Sequence, residues 1–325
     1  MYEKFYGLNQ NPFRMSPDPA FYYATPRHNE ALANLTYGVL MQKGFIVLTG
    51  EVGTGKTLLV RCLLDTLHRS RVAHAYVFNP LLSAEDLLRT ILTDFGIRDV
   101  KHSKADMLQQ FNEYLIDVYR RRGVTALIID EAHLLAPMLL EEIRLMTNIE
   151  TSQHKLLQIV LVGQPELDDN LDSPELRQVK QRISLRYTLE AMTDAEVRGY
   201  IARRLEVAGA PGRMLEIFPA PTVDRILHFA HGIPRLVNTL CDGALVSGYG
   251  LQKTSIAPAV IDEVAADLRL SLKSSAAKMT GTPLSAKAPE DDMTRKMLVR
   301  TLMRLARLLE PGMEAENDKH QGVTG

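Results

Sequence analysis

Short apolar runs, each followed by a stretch with helical spacing, recur through the first two thirds of this chain. Residues 45–49, 74–78, 125–130, 157–162 and 183–189 are Val-, Ile- and Leu-rich runs that do not alternate with polar positions, as expected for strands covered on both faces. The intervening segments carry helix starts. Pro26 suits the first turn of a helix reaching Gln42. Ser83 is followed three residues on by Asp86, and Thr193 by Glu196, both in the manner of a capping box. Strands alternating with helices predict an α/β fold, a parallel sheet with crossover helices on its faces.

Beyond Thr193 the strand signals stop, and helical segments over 194–208, 220–230, 234–248 and 258–270 predict a small all-helical second domain. Residues 1–25, rich in Pro, Asn and aromatics, read as an irregular N-terminal arm. The expected division is therefore an arm over 1–25, a nucleotide-binding α/β domain over 26–192 and a helical lid over 193–271. Residues 272–292 shift to Ser, Ala, Lys, Thr and Pro and read as a flexible linker. An amphipathic helix is expected over 293–310, with Met297, Leu298, Leu302, Leu305 and Leu309 near one face and Arg295, Lys296, Arg300, Arg304 and Arg307 mostly elsewhere. A partner groove or self-association suits that helix better than an anionic membrane, because acidic residues follow it; residues 311–325 read as a disordered tail.

The 325 residues are enough for about two domains, and 46% apolar content suffices for a core. A net charge of −1 excludes a basic field over the whole molecule, so any nucleic-acid contact must be local. Cys62 and Cys241 each sit in an apolar helical stretch and read as buried thiols in a reducing compartment, not as a disulfide. The first residues lack an apolar signal core, and no run approaches the ~18 apolar residues of a membrane span, which points to a cytoplasmic protein.

Gly50-Glu51-Val52-Gly53-Thr54-Gly55-Lys56-Thr57 matches the phosphate-loop (Walker A) pattern in full, directly after an apolar strand and before the helix that Leu58 continues. Glycines at those positions let backbone N–H groups curl around a phosphate, and the helix N-terminus adds positive potential. Lys56 is expected on the β- and γ-phosphates of ATP and Thr57 on Mg²⁺. The 125–130 strand ends in Asp130-Glu131, a Walker B pattern: Asp130 for Mg²⁺, Glu131 as the base that polarises the attacking water. Gln164, at the tip of the next strand, is a candidate sensor of the γ-phosphate, with capping of the loop before Pro165 as its alternative.

Arg182, just before the last strand, is the candidate arginine finger for a neighbouring subunit, with Arg177 second; a dipole-complementing arginine is the plainer alternative. Arg235 follows Pro234 at a helix start in the lid, placed to reach the γ-phosphate across the cleft. The nine histidines show no metal-ligand spacing, and His133 reads as a site wall. Arg120-Arg121-Arg122 reads as a solvated helix end, with a phosphate-backbone contact as its functional alternative.

Together these residues resemble an AAA+ ATPase, and more narrowly the general secretion pathway protein A (ExeA) group. The similarity rests on Phe5-Tyr6-Gly7-Leu8, Asn11-Pro12-Phe13 and Pro17-Asp18-Pro19, on the two nucleotide motifs with Ala132-His133-Leu134-Leu135, and on Gly163-Gln164-Pro165-Glu166-Leu167. Gln181-Arg182-Ile183 and Gly232-Ile233-Pro234-Arg235-Leu236-Val237-Asn238 complete it, over about residues 1–270. The resemblance implies a five-stranded parallel sheet with a helical lid, Mg-ATP hydrolysis and a ring or helical oligomer. After Leu270 the chain departs from the larger members, so membrane insertion and cell-wall binding are not carried over, and a shorter branch tied to exopolysaccharide and protein-sorting loci fits better. The expected role is an ATPase serving envelope secretion or surface-polymer assembly, peripheral at the inner membrane through a partner. A DNA-dependent ATPase regulating transposition or recombination is the alternative, and a nucleotide switch with little turnover the third.

Overall fold

Five strands form one parallel sheet in the order β2-β3-β4-β1-β5 in a computed structural model of the chain, which describes residues 1–78, 80–150 and 155–270. The linker, C-terminal helix and tail expected beyond 271 lie outside the described residues. The strands are β1 (Phe45–Gly50), β2 (Ala73–Val77), β3 (Thr125–Ile129), β4 (Leu157–Gly163) and β5 (Ile183–Leu189). Their partners are in parallel register: Phe45 beside Ile159 and Ile183, Ala73 beside Thr125, and Thr125 beside Leu157.

The helices of the sheet region are α1 (Pro26–Leu40), α2 (Lys56–Arg69), α3 (Ala84–Asp94), α4 (Lys104–Arg120), α5 (Pro137–Met146), α6 (Glu166–Leu171) and α7 (Arg177–Lys180). The apolar faces of α1 and α2 (Leu35, Val39, Leu59, Leu63) pack on one side of the sheet against Ile46, Leu48, Ile128 and Val160. On the other side α3, α4 and α5 bring Leu88, Phe111 and Ile143 onto Phe45, Val47, Leu127 and Ile159. Alternate residues of each central strand thus serve opposite cores, which is why β1, β3 and β4 are buried throughout. β5 departs from the expected unbroken apolar run. It lies at the sheet edge, and Ser184, Arg186 and Thr188 face solvent between half-buried Ile183, Leu185 and Tyr187.

The remaining helices, α8 (Asp194–Val207), α9 (Met214–Ile217), α10 (Ala220–Ala230), α11 (Pro234–Gly250) and α12 (Pro258–Asp267), form the all-helical region. The short α9 has no counterpart in the sequence expectations. Thr193 and Glu196 make the full reciprocal capping box at the start of α8. Ser83 caps α3 through the Asp86 N–H, and its hydroxyl bonds the shorter Asp86 side chain, so the reciprocal bond to the backbone is not made.

The N-terminal residues, expected as an irregular arm, are irregular apart from one 3-10 turn (Pro19–Phe21) but are firmly packed. Tyr2, Tyr6, Leu8 and Phe13 are buried in one core with Ile201, Phe218, Leu240 and Ile261 of the helical region. Emptying a site such as that of Phe13 costs about 3–5 kcal/mol, so the arm is structural. Arg204, buried on α8, fastens it further. Its guanidinium donates to the carbonyls of Pro12 and, at 3.2 Å, of Arg14, and lies 4.7 Å from the Phe21 ring. Among the described residues no helix is long and apolar enough to cross a membrane.

Candidate nucleotide site

The loop between β1 and α2 curls over the N-terminus of α2, and its glycines are required by space. A Cβ on Gly50 would meet the Leu189 carbonyl oxygen at 2.6 Å. Gly53, at φ +85°, would drive a Cβ to 2.7 Å from that of Arg235. Lys56 starts α2 and folds back, its ammonium donating to the carbonyls of Gly50 (2.6 Å) and Glu51 (2.9 Å). Thr54 donates its hydroxyl to the same Glu51 carbonyl at 2.9 Å.

Asp130, just past β3, lies beneath this loop. Its Oδ2 accepts from the Thr57 hydroxyl at 3.1 Å and from the Tyr76 phenol at 3.2 Å, and its Oδ1 from the Glu131 N–H at 2.9 Å. Burial is the main cause that holds its carboxyl above the usual range; the adjacent Glu131 adds to this, and the three donors offset part of it. Burial likewise pulls Lys56 below its ordinary value, with Glu131 and Asp130 opposing the shift. Glu131 sits at φ +52°, a left-handed conformation that costs a non-glycine residue about 1–2 kcal/mol. It is half-exposed, with its carboxylate 3.5 Å from His133 Nδ1. His133 Nε2 is in turn 3.0 Å from the Gln164 side-chain nitrogen, so the ring stands between the two residues.

One cavity is walled by Val52, Gly53, Thr54, Gly55, Lys56, Thr57 and Leu58, by Glu131 and Gln164, and by Arg235 from α11. Arg14, Tyr22, Tyr23 and His28 from the N-terminal segment and α1, and Tyr200, Arg204 and Asn238 of the helical region, are also part of the wall. The backbone N–H of Arg235 donates to the Gly53 carbonyl at 3.2 Å, and its guanidinium has no acidic partner among the described residues.

Arg182 is not in this cavity. It precedes β5, whose first residue pairs with Phe45 at the opposite end of β1 from Gly50, and its guanidinium donates to Asn148 at 3.0 Å. Six residues of strand at ~3.3 Å each put it roughly 20 Å from the phosphate loop. Arg177, at the start of α7, is likewise absent from the cavity.

Besides the wall residues Arg14, Tyr22 and Tyr23, two residues missed by the sequence reading bond directly to the site's motifs. Tyr76 holds Asp130 from β2. His28, buried in the first turn of α1, reaches the loop itself: its Nε2 donates to the Thr54 carbonyl at 3.2 Å, while Nδ1 accepts from the Thr25 hydroxyl at 2.6 Å. Neither carries a motif. Only the packing of α1 and β2 against the loop reveals them.

The arrangement suits a polyphosphate with a divalent cation. Lys56 and Arg235 line one cavity with Glu131, and the buried Asp130 is bonded to Thr57, which lines the same cavity. Among the described residues no cluster of three or more His, Cys, Asp or Glu forms a metal cage. Mg²⁺ suits such a site because it binds through one or two protein oxygens, water and phosphate.

Sheet order, phosphate loop and helical lid together define an AAA+ protein of the P-loop class, and an AAA-domain family matches residues 39–171. More particularly, the chain is ExeA-like. It is 42% identical over 250 residues to general secretion pathway protein A of Aeromonas hydrophila, a match covering 77% of this chain and 45% of that protein. The chain thus spans less than half the length of that relative. In fold it is similar to Cdc6p from Pyrobaculum aerophilum, with a TM-score of 0.62 at 18% identity over 79% of this chain and 70% of that one. The ORC2 protein of Aeropyrum pernix, in its ADPNP–ADP complexes, gives a TM-score of 0.59 at 17% identity over 80% and 71% of the two chains.

Proposed function

We propose that the chain binds Mg-ATP in this cavity and hydrolyses it as a subunit of a ring or helical oligomer. The observation that carries this reading is the convergence of Lys56, Arg235, Glu131 and Gln164 on one cavity, with Asp130 bonded to the Thr57 that lines it. The loop N–H groups and Lys56 would hold the β- and γ-phosphates, and Thr57 with Asp130 would hold Mg²⁺, which when bound supplies charge neutralisation at the transferring phosphoryl group.

Glu131 takes the proton from the attacking water, and Gln164 orients that water. Arg235 carries the closure of the lid to the γ-phosphate. Arg182, too far to act in its own cavity, serves the site of a neighbour.

The 42% identity to general secretion pathway protein A supports a role in energising or regulating envelope secretion or surface-polymer assembly, at the cytoplasmic side of the inner membrane through a membrane partner. A DNA-regulated ATPase of transposition or recombination would use the same cavity residues, and the arginine surface described below is the observation in its favour.

Phosphate release from Mg-ATP by the full chain tests the reading. Wild type should turn over ATP only with Mg²⁺, and Lys56→Ala should lose nucleotide binding by two orders of magnitude or more. Equal affinity in wild type and Lys56→Ala would overturn the assignment of the cavity.

A further inference from the structure

Parallel strands all begin at one end of a sheet, so the turns that feed them share a surface, here the end opposite the phosphate loop. β2 and β3 are neighbours with Ala73 beside Thr125, and the turns before them are residues 68–72 and 120–124. The Ala73 N–H donates to the Val124 carbonyl at 2.9 Å and ties the two turns together. Between them they carry Arg69, Arg71, Arg120, Arg121 and Arg122, all exposed. Among the described residues only Arg121 of these has an acidic partner, Asp117 at 2.7 Å. Against a net charge of −1 for the whole chain, this is a local concentration of positive charge.

The backbone supplies a second observation. Arg71 and Arg122 are the first residues beyond the C-caps of α2 and α4, and both are left-handed, at φ +56° and φ +60°. A helix that ends this way ordinarily places glycine there, because a Cβ is penalised. Both turns would be easier to form with glycine. Neither arginine side chain bonds to the rest of the described protein, and Arg69 and Arg120, within the last helical turns, already complement the dipoles. Gln42, Gln252 and Arg269 end α1, α11 and α12 in the same left-handed way, so what local folding leaves unexplained is the two exposed guanidinium groups, unpartnered among the described residues, and not the turns themselves.

We propose that this arginine surface binds the phosphate backbone of duplex DNA. Guanidinium groups present forked donors that match phosphate oxygens, and five of them on two adjacent turns make a compact site for several phosphates. Such contacts position a duplex without reading its sequence. An anionic bilayer attracts the same charges, but peripheral membrane binding also inserts apolar side chains. In these turns Val72 is buried and Val124 half-buried. The surface lies at the other end of the sheet from the nucleotide cavity, and its assignment does not depend on that site.

Fluorescence anisotropy of a labelled mixed-sequence duplex, titrated with the full chain in the absence of nucleotide over a range of salt, provides the test. Arg71→Gly/Arg122→Gly relieves both left-handed positions, so this variant should melt at or above the wild-type temperature. It should bind the duplex about ten-fold more weakly at low salt, and its log–log salt dependence should be shallower by about 2, at ~0.9 for each phosphate that is no longer neutralised. Arg69→Gln/Arg120→Gln, which leaves both turns unchanged, should show a weakening of the same kind. Undiminished duplex binding by both variants, or no duplex binding by wild type at low salt, overturns the proposal. Binding to phosphatidylserine vesicles that disappears in the same variants, without duplex binding, overturns DNA as the partner in favour of a membrane.

Discussion

Arg235 donates its backbone N–H to the Gly53 carbonyl at 3.2 Å, so the first turn of α11 is bonded to the crown of the phosphate loop. The Arg235 N–H is free to do so because it lies in the first turn of α11, where backbone N–H groups have no acceptor within the helix. Pro234 precedes it at a position where its own missing N–H costs nothing. Loop and lid thus share a hydrogen bond as well as a cavity.

Gly53→Ala tests that coupling. The substitution puts a Cβ at φ +85° and 2.7 Å from the Arg235 Cβ, so loop or lid must shift. The left-handed penalty alone is about 1–2 kcal/mol. The variant should melt at a lower temperature and bind ADP about ten-fold or more weakly in calorimetry. Wild-type affinity with wild-type melting would show that the contact is dispensable.

His28 makes part of the stability dependent on pH. Burial holds the folded ring below its ordinary 6.5, against the opposing hydrogen bond to Thr54 and the charge of Glu196. Below pH 6.5 the unfolded chain therefore binds a proton that the folded chain does not, and stability falls as pH drops from 6.5 toward the folded value. Above 6.5 the contribution is fully present. Thermal melts between about pH 8 and pH 5 should show wild type losing more stability on the acid side than His28→Gln. Parallel acid limbs would remove His28 from the account.

Glu131→Gln should bind ATP yet hydrolyse it about 10²–10⁴-fold more slowly, because an amide cannot accept the proton. His133, in contact with both Glu131 and Gln164, positions them. His133→Ala should lower kcat about ten-fold with little change in nucleotide affinity, and His133→Asn should recover part of it. Single-turnover phosphate release separates chemistry from binding. A wild-type rate in Glu131→Gln means that the base lies elsewhere.

Arg182→Ala should leave nucleotide binding by a single subunit intact and cripple turnover in the assembly. Its place, roughly 20 Å down the sheet at ~3.3 Å per strand residue, makes action within one chain impossible. Subunits with Arg182→Ala and subunits with Glu131→Gln lack different halves of a shared site. Mixed assemblies should regain activity that neither variant has alone. Demonstrably mixed assemblies that stay inactive would speak against a finger acting in trans.

Much of the site was legible from residue order alone, because its parts are local. The phosphate loop has to follow a strand and open a helix, and the Thr57–Asp130 bond joins two motifs that both sit at strand ends. Runs such as Ile46–Leu48 read as buried strands because both faces of the central sheet are covered. The capping box at Thr193 likewise needs only residues three apart.

The other features depend on contacts between residues far apart in sequence. Residues 1–25 read as an irregular arm because they lack periodicity, yet Tyr6 and Phe13 fill the core of the helical region. Their burial depends on helices two hundred residues later. His28 and Tyr76 carry no motif, and their role exists only once α1 and β2 pack beside the loop. The edge position of β5 exposes every second residue, which a run of strand-forming residues does not announce. Arginines placed before two separate strands become one surface only through strand order. Short-range hydrogen-bond geometry is written into the order of residues, whereas burial and charge density are properties of the whole packed chain. For that reason the phosphate-loop and strand-end motifs are readable from residue order, whereas the residues that brace them, His28 and Tyr76, emerge only from packing.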